Sequence, residues 1–303
     1  MTLGRGRATA LIAFSACCFG SIPVLVTLAS QAGSPLVNTL AWRFAIAAVL
    51  LFGLGGSLAR AGVERKRLAT LVFGAGAGQA LINGLSLSAL RWIPAATLTF
   101  LFYTYPAWVT VFAVVRRTER LTPLRVVALL LSLAGIGLMV GAPGSAELHP
   151  LGLLLALSSA VAYAAYIPFL GRLQVGIAPA AAAGYTAVGA SVAFFIVGAA
   201  TRSLVLDVGA RGWLPIAAIA VFSTALAFVA FLRGLAVLGP VRTAIVSTIE
   251  PFWAGILAAL VLGQRIGPGA LAGGALIATA VILLQRGGAS EVADTSPPAP
   301  ATP

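Results

Sequence analysis

The sequence predicts an all-α integral membrane protein, ten transmembrane helices built from two inverted five-helix repeats. Three observations carry this. Of 303 residues, 60% are hydrophobic and 9% charged, with mean hydropathy +1.05; a soluble domain carries roughly 25% charged residues, so most of this surface must meet lipid. Apolar runs long enough to cross a ~30 Å hydrocarbon core, about 20 residues each, recur between charges, prolines and glycines. A shift of 145 residues places Pro23 on Pro168, Pro106 on Pro251, Trp108 on Trp253, Arg120 on Arg265 and Pro123 on Pro268, with a one-residue slip that aligns Pro94 with Pro240. Five spans per copy is an odd number, so the second copy enters the membrane from the opposite side.

The elements follow in order. Span 1, 8–30, starts after Arg5 and Arg7; its run Leu11 to Ala29 has no small-residue cleavage site before a polar domain, so it reads as retained. Gly33, Ser34 and Pro35 separate it from span 2, 36–59. The bases Arg60, Arg65, Lys66 and Arg67 precede span 3, 68–90, and Arg91 divides it from span 4, 94–115. Arg116, Arg117 and Arg120 lead to span 5, 123–142. In the second half the spans are 150–171, 179–200, 212–236, 241–263 and 268–285. The first repeat is thus 1–146 and the second 147–286; the Pro/Ala/Ser stretch 287–303 reads as a disordered cytoplasmic tail.

Charge sets the orientation. With the N-terminus inside, fourteen of nineteen bases fall on the inner side and only Arg91, Arg202, Arg211 and Arg265 outside, the positive-inside pattern. Both termini are therefore expected to be cytoplasmic, in the inner membrane. The net charge of +12 is spread singly or in small groups between apolar runs, so it speaks of topology and not of nucleic acid. The adjacent Cys17 and Cys18 give neither a disulfide framework nor metal spacing. No His or Asp lies within a span and no G-x-x-x-x-G-K-[ST] occurs, so enzyme chemistry, a metal site and an ATP-driven pump have no residues to run on, and no cofactor is expected.

Two formal charges sit well inside spans, Arg43 and Glu250. Such residues cost at least a few kcal/mol each, unless paired or hydrated, and are functional candidates for that reason. Arg43 reads mainly as a packing residue of span 2, with an ion pair to Glu250 as the alternative. Glu250 precedes Pro251, and a proline loosens its helix. Two readings stay open: a carboxylate that exchanges protons and couples their flow to transport, or one hydrogen-bonded between helices to hold the fold.

Helical spacing assembles polar faces. Gln79, Asn83 and Ser86 form one stripe; Thr99, Tyr103 and Pro106 form another, with Phe102 and Tyr105 beside it. Ser159, Tyr163 and Tyr166 form a third; the repeat shift maps its tyrosines onto Cys18 and Ser21, and Ser247 lies one turn before Glu250. The substrate-binding candidates are therefore Ser21, Gln79, Asn83, Thr99, Tyr103, Ser159, Tyr163, Tyr166, Ser247 and Glu250, with Pro23, Pro106, Pro168 and Pro251 as kinks or gates. Interhelical glue is the plainer reading of any one of them, at about 0.6 kcal/mol per contact. Gly74/Gly78 and Gly269/Gly273 have close-packing spacing. Trp42, Trp92 and Trp213 read as interfacial anchors, and His149 as a solvated loop residue.

The second half, from Gly234 to Pro240 through Glu250-Pro251, Gly263-Gln264-Arg265 and Gly274 to Ile277, closely resembles the closing signature of the EamA family in the drug/metabolite transporter superfamily. CFGSIP at 18–23, Trp42-Arg43-Phe44 and AYAAYI at 162–167 extend the resemblance over 8–286. Departures are Cys18 for a common Trp, Tyr105 for Glu before Pro106, and Gln264 for a frequent Glu in a turn. The resemblance implies a ten-helix carrier of a small metabolite working by alternating access, often an exporter of amino acids or related compounds, with spans 1, 3, 4, 6, 8 and 9 lining the cavity. An aromatic cavity with one acid suits a neutral or zwitterionic substrate. A passive channel, or a membrane receptor or scaffold, is the alternative; the protein is expected as a monomer or homodimer in the bilayer.

Overall fold

The computed structural model describes residues 4–55, 64–117, 122–141 and 148–294. Arg60, Arg120, the repeat boundary at 146–147 and residues 295–303 of the expected tail lie outside them. The described chain is helical, with no strand among its residues. Seven segments are long and apolar enough to cross a membrane, and three shorter apolar helices, Pro123–Leu138, Ile249–Leu262 and Pro268–Leu284, accompany them.

In chain order, the first half holds α1 (Arg5–Gly20), α2 (Ile22–Gln31), α3 (Leu36–Gly55), α4 (Arg65–Ala69) and α5 (Gly76–Ser88). Then come α6 (Ala95–Phe102), α7 (Tyr105–Val115) and α8 (Pro123–Gly141). The second half holds α9 (Pro150–Gln174), α10 (Pro179–Ala200), α11 (Gly209–Ala220), α12 (Ala227–Ser247), α13 (Ile249–Leu262) and α14 (Pro268–Asp294). Two π-helical turns, Thr70–Ala75 and Val221–Leu226, join α4 to α5 and α11 to α12, so the third span of each repeat carries one. The last helix continues to Asp294, into the stretch where a tail is expected from 287.

Prolines explain the breaks. A proline lacks the N–H that would bond the carbonyl four residues back, and its ring crowds that carbonyl. Pro23 stands just after the α1–α2 break at Ser21, Pro106 just after the α6–α7 break, and Pro251 just after the α12–α13 break at Thr248. At the first break Ser21 Oγ donates to the Cys17 carbonyl at 2.7 Å. Pro168 differs from the other three: α9 is unbroken around it. Tyr166 and Phe169 there lie against Gly78 and Gly74, so packing on both sides of the proline holds the helix together across one missing bond.

Packing joins each half to the other through antiparallel pairs. Ser15 Oγ donates to the Ala227 carbonyl at 2.8 Å while Gly234 abuts Ala8 and Ile12, so α1 and α12 run in opposite senses. Ser191 Oγ donates to the Ala41 carbonyl at 3.0 Å, Gly198 meets Val37 and Gly184 meets Phe52, which makes α3 and α10 antiparallel. Gly78 meets Tyr166 and Gly152 meets Trp92, which does the same for α5 and α9. Exchanging the two halves turns the α1–α12 contact into the α9–α5 contact and leaves α3–α10 and α8–α14 as they are.

Between Gly234 of α12 and Glu250 of α13 the chain reverses its course along α1. Gly234 lies beside the start of α1 and Glu250 beside Gly20 at its end. A straight helix at 1.5 Å per residue would carry Glu250 away from α1 altogether.

The glycine pairs serve contacts within the chain, since Gly74 and Gly78 face α9, and Gly273 presents its carbonyl to Gly135 of α8. Trp42 packs edge-on against Phe195 at 5.2 Å and Trp213 at 5.4 Å. His149 is more than a solvated loop residue: its Nδ1 accepts from the Leu151 N–H at 3.1 Å, capping α9, and its ring lies 4.4 Å from that of Trp92. Arg67 Nε donates to the Leu173 carbonyl at 3.0 Å, so bases of span 3 and the end of span 6 gather at one end of the bundle.

Candidate functional site

A cavity of about 410 Å³ lies between the two halves. Its wall draws on α1–α2, α3, α5, α6–α7, α9, α10, the second π-helical turn, α12 and α13. Apolar and aromatic side chains dominate it; Arg43 and Glu250 are the formal charges on it.

Around Glu250 the wall is built by the α12–α13 break. Pro251 has no N–H for the Ser247 carbonyl, which therefore lacks its helical partner. Tyr103 fills the gap: its hydroxyl lies 2.9 Å from the Ser247 carbonyl oxygen and 2.6 Å from Glu250 Oε2. A phenol has one hydrogen to give. Both contacts are hydrogen bonds at once when the acid of Glu250 donates to the Tyr103 oxygen and Tyr103 donates to Ser247. An ionised Glu250 competes with the carbonyl for the same hydrogen. Tyrosines crowd this end: Tyr105 and Tyr163 have ring centroids 4.9 Å apart, Phe102 and Tyr163 5.2 Å, and Tyr103 and Tyr105 6.1 Å.

Arg43 forms a second polar centre. Its Nη1 donates to Asn83 Oδ1 and its Nε to Thr224 Oγ1, both at 3.2 Å. Asn83 Nδ2 in turn donates to the Gln79 carbonyl at 2.9 Å, and Thr224 Oγ1 to the Ile219 carbonyl at 2.9 Å, a five-residue reach made by the π-helical turn. The guanidinium also lies 4.9 Å from the Phe44 ring centroid. Only 4% of Arg43 is exposed. Arg43 thus ties α3 to α5 and to the second π-helical turn, as expected of a packing residue, and it also lines the cavity. The alternative of an ion pair is not realised, since Arg43 and Glu250 face one cavity with different partners.

The structure brings Gln79, Asn83, Thr99, Tyr103, Tyr163, Tyr166, Ser247 and Glu250 to the wall, with Pro23 beside them. Thr99 Oγ1 donates to the Ala95 carbonyl and the Tyr166 hydroxyl to the Ala75 carbonyl, so those hydroxyls are engaged within the protein. Ser21 and Ser159 are off the wall. Ser21 Oγ accepts from Trp253 Nε1 at 3.1 Å, bridging the α1–α2 break to α13, and the fully buried Ser159 donates to the Ala156 carbonyl at 2.7 Å. Helical spacing pointed to Ser159 and the repeat shift to Ser21, but short hydroxyls satisfy themselves on nearby backbone. Pro106 and Pro251 are buried behind the wall at their breaks.

Ser223, Thr224 and Thr186 lie outside the candidates that helical spacing picks out, though all three line the cavity. Single hydroxyls in the runs VFSTAL and AGYTAV carry no periodic signal, and only the missing regular turn at 221–226 singles two of them out. Tyr105 was noted as a departure and lies on the wall. Gln264 reaches back to the fourth span, where its Oε1 accepts the Ala95 N–H at 3.1 Å and caps α6.

Gly20 is required for the approach of α1 to Glu250. A Cβ there would sit 2.6 Å from the Glu250 carbonyl oxygen and 3.3 Å from its Cγ. Gly20→Ala is expected to push α13 outward at an overpacking cost of about 1–3 kcal/mol. Ligand affinity should fall along with the melting temperature; full affinity would show that Glu250's position is unimportant.

The family model for "EamA-like transporter family" matches residues 7–141 and again 150–286. No curated protein matches. A solved structure described as "Crystal structure of protein" is similar in fold, with TM-score 0.64 at 21% identity over 92% of this chain and 96% of that one.

Proposed function

The chain belongs to the EamA-like transporter family, and on that premise we propose that it is a secondary carrier moving a zwitterionic small metabolite, an amino acid or close relative, by alternating access. Membership makes it a multi-pass membrane protein of a transporter family with a small-molecule substrate. The observation that carries the finer reading is one aromatic cavity holding an acid and a base that do not neutralise each other. A buried charge without a counter-charge is costly. A substrate bearing both an ammonium and a carboxylate supplies both partners in one molecule, whereas a polyanion would meet a single Arg.

The proposed architecture is ten spans in two inverted repeats, with both termini on the cytoplasmic face of the inner membrane and net movement outward. Antiparallel contacts between the halves, and helix breaks at matching positions near 103–104 and 248, support a cavity that opens by rocking one half against the other. The ammonium would sit among Tyr103, Tyr105 and Tyr163 against Glu250, where ring faces add cation–π attraction.

Proton exchange is part of the proposal. When Glu250 is protonated, the run Glu250–Tyr103–Ser247 is fully hydrogen-bonded across the α12–α13 break. When the ammonium binds, Glu250 is ionised and gives up its proton, and Tyr103 must choose between Glu250 and the Ser247 carbonyl. Loading the site therefore changes the bonding at a hinge.

The test is counterflow of labelled amino acids in proteoliposomes of the purified protein. Saturable uptake driven by unlabelled amino acid inside is the expected result. Flux that grows linearly without counterflow would make the protein a channel, and no amino-acid-specific flux at all would overturn carriage.

A further inference from the structure

We infer that the Arg43 corner of the cavity is a carboxylate subsite, in which the guanidinium and the Ser223 hydroxyl hold the acid end of a small organic molecule. The inference rests on the carrier reading for its biological meaning, but its structural basis is separate.

A guanidinium has five N–H donors. Two are taken, by Asn83 and Thr224, and the others have no acceptor among the described residues. Both acceptors are neutral, so the buried charge has no counter-ion among the described residues. Beside Thr224 lies Ser223, 1% exposed, on the cavity wall, with its hydroxyl unpartnered. A helical serine ordinarily returns its hydroxyl to the carbonyl four residues back. For Ser223 that carbonyl is Ile219's, and Thr224 Oγ1 already donates to it. The π-helical turn thus leaves one donor spare on the residue before Thr224, which accepts from Arg43, and both Ser223 and Arg43 line the same cavity.

The surroundings hold this arrangement in place before any ligand arrives. Asn83 is oriented by the Gln79 carbonyl and Thr224 by the Ile219 carbonyl, so each presents an acceptor to Arg43 and neither offers it a charge. A carboxylate fits better than other anions: its two oxygens match the planar donor fork, and one Arg is too little charge for a phosphate dianion.

The test uses the full-length protein in detergent at constant ionic strength, with sodium butyrate and butyramide as probes. Butyrate is expected to raise the melting temperature of wild type, and the isosteric amide to leave it unchanged. Ser223→Ala should leave the ligand-free melting temperature unchanged, since no hydrogen bond is lost, while weakening butyrate about tenfold, the worth of one hydrogen bond to a charged group. Arg43→Gln should weaken it about a hundredfold; Arg43→Lys, which keeps the charge without the fork, should fall between. Equal stabilisation by amide and acid, or undiminished butyrate binding in both Ser223→Ala and Arg43→Lys, would overturn the subsite. If butyrate behaves as expected but no amino acid shows counterflow, the subsite stands and the zwitterion reading fails. Amino-acid counterflow unaffected by converting the carboxyl to an amide leaves the carrier standing and removes the subsite.

Discussion

Glu250→Gln is expected to reduce amino-acid counterflow by about 10- to 100-fold and to flatten its pH profile, while the protein stays folded. The glutamine has the same shape, and its amide can still donate to the Tyr103 oxygen while Tyr103 donates to the Ser247 carbonyl at the α12–α13 break. The fold therefore keeps its bonds. What goes is the negative charge: a hydrogen bond to a charged group is worth about 1.5–3 kcal/mol, which converts to that range in affinity. The sign of the pH effect follows from the charge. Acidification protonates Glu250, removes the ammonium's partner and weakens binding in wild type, and the variant has nothing there to titrate. The other ionisable groups facing Glu250, namely Tyr103, Tyr105 and Tyr163, are neutral phenols, and Arg43 stays charged across the cavity. Proteoliposome counterflow measured from about pH 5.5 to 8.5 decides it; a variant with the wild-type profile would move the coupling elsewhere.

Gly189→Val should be the most damaging substitution for stability. At this point α10 lies directly on the first π-helical turn. A Cβ on Gly189 would run into the Val72 carbonyl oxygen, with Gly76 Cα 3.0 Å away, and a Cβ on Gly76 would lie 2.7 Å from the Gly189 carbonyl carbon. These obstacles are backbone, which cannot swing aside as a side chain does. Overpacking of a core costs about 1–3 kcal/mol where side chains can adjust, so two backbones forced apart should lose more, out of a total stability of about 5–15 kcal/mol. The expected result is aggregation or a melting temperature lowered by many degrees, read by size-exclusion profile and thermal unfolding. Gly137→Ala is the control, since nothing lies within 4 Å of its Cβ, and it should be silent. A stable, monodisperse Gly189→Val protein would mean that the two helices are not in contact.

The span pattern, the repeat, Glu250 and the tyrosine stripes were legible without coordinates. Each is a local property: lipid demands unbroken apolar length, helical periodicity of 3.6 puts Gln79 and Asn83 or Tyr163 and Tyr166 on shared faces, and a proline removes one backbone bond from its own helix, though packing decides whether the helix breaks there, as at Pro106 and Pro251, or runs on, as at Pro168. The same locality explains the misses at Ser21 and Ser159. Periodicity tells which face a hydroxyl occupies, and the backbone carbonyl beside it settles what it bonds.

Arg43 belongs to the other kind of information. Its meaning depends on Asn83 and Thr224, which lie 40 and 181 residues away in sequence, and on a π-helical turn that no spacing rule announces. Long-range packing chooses such partners, because burying a charge is tolerable only where other helices bring acceptors to it. Composition and periodicity, summed over short windows, could place a guanidinium within the membrane. Whether it would face lipid, another helix or the cavity was decided by the helices that closed around it.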